Sequence, residues 1–364
     1  MKNSTLRAVF GIVAVIAVLA LLRFKPWQGG ETGETAPGAP VITGSGSGSG
    51  SGTASKQEVA VGFLPVTCHL TCPVTDFATR TSATNHFKSM RFTDFPTVVD
   101  ALKSGRMQAT FMIAPLAMKL REQGVPVKIC YLGHRDGSTV MVRKDLPVKD
   151  LRDLRGKTFA IPSKYSNQNL VIHALMERQG VQPGEIKFVE MAPPDMPTAL
   201  ATKAIDAYFV GEPHAAKAEM DGTGRVLYHA KDIWPRFISC VLVVHENLIK
   251  EQPETVRDLV RGIAESGEWA ETHRLEAAKL VAPYFRQKEK LIRYVLTTPP
   301  GRVSYRQLTP TDAEMEKIQD MAIKTGVLKK RTPINELMAR EFIPKEIKQA
   351  TIKLANAAGT KPQS

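Results

Sequence analysis

Cysteine is scarce in this chain. Four thiols, Cys68, Cys72, Cys130 and Cys240, occur in 364 residues, too few for a disulfide scaffold and silent about the redox compartment. The short motifs of common chemistries are missing as well. There is no GxxxxGK[S/T] loop to cradle phosphates, no HExxH pair for a zinc hydrolase, and no Ser, His and Asp in a hydrolase order. Acidic residues are outnumbered: 36 Asp and Glu face 49 Lys and Arg, a net charge of +13 with a pI near 9.5. The basic residues are interspersed with acids, and the short runs at Lys329, Lys330 and Arg331 and at Lys345 and Lys348 fall on helix ends. That pattern is a solvated surface, and no nucleic-acid partner is expected. The excess still suits anionic solutes or lipid headgroups. With 43% hydrophobic and 23% charged residues, the chain is an ordinary globular one, long enough for two lobes.

Lys2 and Arg7 precede an unbroken apolar run over 8–22, the charged start and apolar centre of an export signal. Arg23, Phe24, Lys25, Pro26 and Trp27 follow, with no small-residue cleavage pattern and no cysteine for lipid attachment. The run is short for a bilayer, but Arg7 and Arg23 can snorkel and Trp27 can sit at the interface. Residues 1–27 are therefore expected to be an uncleaved signal anchor, the alternative being a removed signal peptide. Residues 28–57 are rich in Gly, Ser, Thr, Pro and Ala and include GSGSGSGSG over 44–52. Such a tether reaches about 30 Å.

From residue 58 short apolar runs alternate with helical stretches. VAVGFL, MQATFMI, VKICYL, STVMV, TFAIP, IKFVEM, AIDAYFV and CVLVV read as strands. FPTVVDALKSG, APLAMKLREQG, NQNLVIHALMERQG and MPTALATK read as helices, three of them ended by Gly105, Gly124 and Gly180. Strands apolar throughout and separated by helices predict an α/β fold with largely parallel sheets covered on both faces. After Val244 the pattern is helical with no strong strand, a C-terminal wrap. In such folds ligands settle beyond the carboxyl ends of the strands. That rule selects residues 65–69, 114–115, 134–138, 162–167, 192–195 and 211–214.

The phrases in those loops, VGFLPVTCHL, FPTVVDALKSGRMQATFMIAPLAMKLREQGVPVKI, LGHRDGSTVMVRKD, DLRDLRGKTFAIP and MAPPDMPTALATKAIDAYFVGEPHAAKA followed by DIWP, cover nearly all of residues 59–248. Taken in order, they resemble the extracytoplasmic solute-binding proteins of the nitrate, sulfonate and taurine class of ABC transporters (NitT/TauT, SsuA-like). The resemblance implies a type II periplasmic-binding-protein fold: two α/β lobes with a ligand cleft between them. Lobe I would be discontinuous, 58–142 and 240–364, and lobe II, 143–239, inserted into it. It further implies capture of a small anionic or heteroaromatic solute, delivery to an ABC permease, no catalysis, no cofactor, and a periplasmic place tethered to the inner membrane. A membrane-tethered ligand sensor and an enzyme like the thiamin-pyrimidine synthases remain as alternatives.

The candidate ligand contacts are Thr67, Cys68, His69, Pro115, Ser138, Ser163, Tyr165, Asn167, Asp195, Glu212 and His214. Ser163, Tyr165 and Asn167 gather hydroxyl and amide groups at a helix start, either an anion cradle or simple caps. Glu212 stands at a strand end before Pro213, placed either for a ligand or for capping the next helix. In nitrate- and bicarbonate-binding members a GEP phrase lies at the cleft, and here His214 is its neighbour. Cys68 stands where relatives often carry an acidic or small residue. Cys68 and Cys72 are open to three readings: packed thiols, a disulfide, or soft metal ligands with His69 and a fourth group from His134, His214 or Cys240. His134, Arg135 and Asp136 read either as a site or as a solvated hairpin or crossover turn. N-terminal sequencing of the mature protein is expected to begin upstream of Gly30; a start near Gly30 would mean that the signal is removed.

Overall fold

The structure, a computed structural model, describes residues 58–79 and 86–348. The expected anchor over 1–27 and tether over 28–57 lie outside these residues. Among the described residues no helix is long and apolar enough to cross a membrane.

Two five-stranded sheets organise the chain. The first contains β1 (Glu58–Phe63), β2 (His86–Arg91), β3 (Ala109–Ile113), β4 (Val127–Leu132) and, much later, β11 (Cys240–His245). Its order is β2-β1-β3-β11-β4. β1 pairs in parallel with β2 and β3, and β11 runs antiparallel to both β3 and β4. The short β5 (Arg135–Asp136) then leads to the second sheet, formed by β6 (Ser138–Arg143), β7 (Thr158–Ile161), β8 (Lys187–Glu190), β9 (Ala207–Gly211) and β10 (Gly224–His229) in the order β10-β6-β9-β7-β8. β12 (Val303–Ser304) pairs with β5. The chain thus crosses between sheets at residues 133–137 and returns through 237–239. The second sheet begins at Ser138, a few residues before the expected boundary at Arg143.

Both faces of the second sheet are covered, as the apolar strands predicted. Val140, Phe159 and Phe209 point into one buried cluster, while their neighbours Met141, Ala160 and Tyr208 point into another. On the first sheet Phe63, Phe111, Tyr131 and Leu242 share a core with Leu259, Ile263 and Phe285 from helices Pro253–Thr272 and Arg274–Phe285. The C-terminal wrap is therefore part of that core. Local caps start the helices on both sheets. The Asp94 carboxylate accepts the Thr97 amide at 2.9 Å to open Phe95–Lys103, and Ser166 Oγ accepts the Asn169 amide at 3.1 Å to open Asn167–Arg178.

Besides the two-residue β5 and β12, two strands of the five-stranded sheets escape the sequence reading. β2 is HFKSMR and β10 is GRVLYH, both at sheet edges. An edge strand needs an apolar surface on fewer sides, so it lacks a continuous hydrophobic run.

Residues 134–136 form the outward crossover, not a solvated hairpin. His134 and Arg135 are buried. Arg135 donates to the Gln307 carbonyl at 2.7 Å and pairs with Glu314 at 2.7 Å. Burial pushes the Glu314 carboxyl up, but the Arg135 guanidinium and the Thr311 amide outweigh it and hold the group below its ordinary value. Arg135→Met, which leaves that half-buried carboxylate only the more distant Arg236 guanidinium at 3.9 Å, is expected to lower unfolding free energy by about 2 kcal/mol. Urea denaturation with an unchanged midpoint would remove the crossover from the list of stabilising contacts.

Candidate functional site

The loop after β1 carries the first wall of the seam between the sheets. Its residues 64–70 are all buried. The Thr67 amide donates across the seam to the Glu212 carbonyl at 2.6 Å, and Thr67 Oγ1 lies 3.1 Å from His134 Nε2. The Tyr305 hydroxyl donates to the Thr67 carbonyl at 2.9 Å. This approach is possible because residue 133 is glycine: a Cβ there would lie 1.9 Å from the Cys68 carbonyl oxygen. Gly137, at φ +62°, is equally constrained, since its Cβ would meet the His134 ring at 2.6 Å.

The second wall comes from the sheet beyond the crossover. Asn167 Nδ2 donates to the Ile238 carbonyl at 2.5 Å. Gln168 Nε2 lies 3.1 Å from both Ser138 Oγ and Ser239 Oγ. The Glu212 carboxylate accepts from Thr139 Oγ1 and from the Ala216 amide, each at 2.9 Å, and stands 3.5 Å from Arg302 Nε. Burial pushes the Glu212 carboxyl up, against the pull of Arg302 and the two hydrogen bonds. Its side chain thus sits over the start of helix His214–Met220 and is largely satisfied within the protein. Arg302 also donates to Glu219 at 2.6 Å.

Several buried polar atoms along this seam have no hydrogen-bond partner: His69 Nε2, His134 Nδ1, Asn167 Oδ1, Gln168 Oε1, His214 Nε2 and Arg302 Nη1. Burial without a partner costs each of them roughly 1–3 kcal/mol. Burial also pushes His134 down to about 3 and His214 down to about 4, so both rings are neutral at neutral pH and offer hydrogen bonds without charge.

The expected contacts therefore separate. Thr67, Cys68, His69, Ser138, Asn167, Glu212 and His214 are buried and meet at the seam. Pro115 is buried in the first turn of helix Ala114–Glu122, next to the Ala114 amide that donates to the Ser239 carbonyl at 3.1 Å. Ser163 Oγ accepts the Tyr165 amide, and Tyr165 is half-buried against the first-sheet core. Asp195 is exposed on the turn Pro193–Asp195. Gln168, Ser239, Arg302 and Tyr305 were not anticipated. Gln168 had a signal, as the second residue of a helix already placed at the cleft; Arg302 and Tyr305 lie in PPGRVSY, whose prolines and glycine interrupt the helical wrap. A groove of about 740 Å³ lined by Leu170, His173, Trp234, Pro235, Lys317 and Met321 shares none of the seam residues.

Cys68, His69 and Cys240 each bring a ligand atom within 4.8 Å of the others. Cys72 is not among them; its thiol faces the Val61 carbonyl at 3.5 Å. All four cysteines are free thiols, so Cys68 and Cys72 are not joined. The trio fits a tetrahedral ion poorly. Its sulfurs are 2.8 Å apart, whereas two sulfurs each about 2.3 Å from one zinc stand well beyond that. His69 Nδ1 accepts the Leu64 amide at 2.7 Å, so the neutral ring carries its proton on Nε2, the nitrogen left for a metal.

Comparison with known proteins matches this fold. The taurine-binding periplasmic protein of Escherichia coli is 27% identical over 184 residues, half of this chain and 56% of its own. The chain spans 35% to 60% of the length of the first curated relatives it matches. In structure, the ligand-binding component of an ABC-type import system from Staphylococcus aureus, with zinc bound, matches at TM-score 0.73 and 24% identity, over 82% of this chain and all of that one. The periplasmic nitrate-binding protein NrtA of Synechocystis also matches at 0.73, with 14% identity over 79% and 87%. The fold is that of the periplasmic binding proteins of ABC import systems, and with residues 52–284 matching its family model the chain belongs to the NMT1-like family.

Proposed function

We propose that this chain is the extracytoplasmic solute-binding component of an ABC importer, which closes two lobes around a small solute and presents it to a membrane permease. The observation that carries the reading is the set of buried, unpartnered polar atoms contributed to one seam by both sheets. A closed seam that leaves such groups unsatisfied is unfavourable by itself, and a solute supplying the missing partners would turn that deficit into affinity. The names of the relatives, a taurine-binding and a nitrate-binding protein, favour this role over a sensor or an enzyme.

In this reading lobe I holds the first sheet and the C-terminal helices, lobe II holds the second sheet, and residues 133–137 and 237–239 are the hinge. Residues 1–27 and 28–57 would tether the folded part to the inner membrane.

The unpartnered groups also describe the solute. Asn167 Nδ2 is committed to a carbonyl, which fixes its Oδ1 as an acceptor in need of a donor. Arg302 Nη1 needs an acceptor. A solute offering both, such as a zwitterion or an amide-bearing heteroaromatic, satisfies more of the seam than a bare oxyanion does. Titration calorimetry and thermal shift against nitrate, bicarbonate, taurine and aminopyrimidines is expected to find the tightest binding among the last two. A ligand at 100 times its Kd should add about 2.7 kcal/mol of stability. Gln168→Ala should weaken binding about tenfold or more, measured on protein confirmed to be folded. If no class binds and scattering shows one rigid shape throughout, the proposal fails.

A further inference from the structure

The four cysteines are not equivalent. Cys72 is spent on a backbone carbonyl, and Cys130 is buried in the first-sheet core, where its thiol is pushed well above the ordinary range. Cys68 and Cys240, 172 residues apart in sequence, are in direct contact, with the Cys68 thiol donating to Cys240 Sγ at 2.8 Å. A disulfide sulfur pair lies at about 2.05 Å, so bonding requires a further approach of less than an ångström. Both side chains are buried at the seam, next to Ser239, whose hydroxyl is 3.6 Å from Cys240 Sγ.

We propose that Cys68 and Cys240 form a dithiol–disulfide pair, oxidised by a small peroxide, that locks the loop after β1 to strand β11 at the floor of the seam. The site is independent of which solute the seam holds. Burial alone would push the Cys240 thiol up, but the hydrogen bond from Cys68 and the neighbouring His69 ring outweigh it and hold it below its ordinary value, while burial holds Cys68 up as the protonated partner of the 2.8 Å contact. Cys240 is therefore the attacking thiolate. Its sulfur displaces hydroxide from hydrogen peroxide and becomes a sulfenic acid. Cys68 then attacks that sulfur, its own proton leaving with the sulfenic oxygen as water. Each sulfur loses one electron and the peroxide gains two. Because both sulfurs are enclosed, only an oxidant of this size reaches them.

The test is peptide mapping of the whole protein after a stoichiometric dose of hydrogen peroxide. The expected result is a peptide containing Cys68 joined to one containing Cys240, an intact mass lower by two hydrogen atoms, full reversal by dithiothreitol once the chain is unfolded, and Cys72 and Cys130 still alkylable in the same unfolded chain. In Cys68→Ser the reaction should stop at a Cys240 sulfenic acid, trapped by dimedone added with denaturant, which the wild-type protein should not accumulate. A Cys68–Cys72 linkage, or four unmodified thiols after treatment, would overturn the proposal. So would one equivalent of zinc or copper in elemental analysis of the untreated protein, released together with the appearance of two new reactive thiols. The wild-type map alone decides the matter if the variant does not fold.

Discussion

The seam depends on one close approach. The loop after β1 runs so near the outward crossover that the Cys68 carbonyl oxygen occupies the space a side chain at position 133 would need. With glycine there, the loop drops far enough for the Thr67 amide to reach the Glu212 carbonyl, for Thr67 Oγ1 to reach His134, and for Cys68 to touch Cys240. Each of these contacts joins segments far apart in sequence. Any residue larger than glycine at 133 lifts the loop and loosens them together, so a single backbone clearance sets both walls of the seam.

The seam is also where the molecule departs from its usual accounting of polar groups. Away from the seam most buried donors and acceptors are satisfied, with Thr71 Oγ1, Arg91 Nε and Gln252 Oε1 the exceptions among the described residues: Arg135 meets Gln307 and Glu314, and Asp94 and Ser166 close their helices. At the seam, neutral imidazoles, amide oxygens and a guanidinium edge are left without partners. Natural cores rarely tolerate several such groups within one small region. In the proposed reading, their concentration between two sheets, beyond strand ends, marks a place for a guest.

Much of this architecture was legible in the sequence. The interior strands announced themselves as short, wholly apolar runs because both of their faces are covered, and the strand-end rule then picked out Thr67, His69, Ser138, Asn167, Glu212 and His214. Edge strands β2 and β10 were hidden because an edge permits polar residues such as those of HFKSMR. Asp195 was selected by position in a loop, but position does not tell on which side of a turn a carboxylate emerges, and it emerges into solvent. The sequence left Cys68 open between packing, a disulfide with Cys72 and a metal set that could include Cys240, and sequence spacing could not say which sulfur it meets. Cys72 is near in sequence, yet it lies in helix Thr71–Thr79 with its thiol against β1, whereas Cys240 arrives on an antiparallel strand from the far end of the chain. Spacing reports local geometry, and this contact is set by sheet order.

Arg302 shows why the C-terminal segment is more than a buttress. It is buried, with Glu219 at 2.6 Å on one side, Glu212 at 3.5 Å on the other, and the Tyr294 ring beneath it at 5.3 Å. Glu212 and Glu219 belong to the second-sheet side, while Tyr294 and Arg302 come from the helical wrap that follows β11. The Tyr294 hydroxyl donates to Glu219 at 3.1 Å and strengthens the same junction. Burying the Glu212 carboxylate without a cation would cost several kcal/mol, and burying Arg302 without its carboxylates would cost as much, while Glu219 keeps part of its side chain in water. The charges therefore constrain each other, so that the wrap can separate from the second sheet only by exposing or re-pairing Arg302. A guest that engages the free Nη1 edge of Arg302 would act on this same junction, coupling occupancy of the seam to the contact between the wrap and the second sheet.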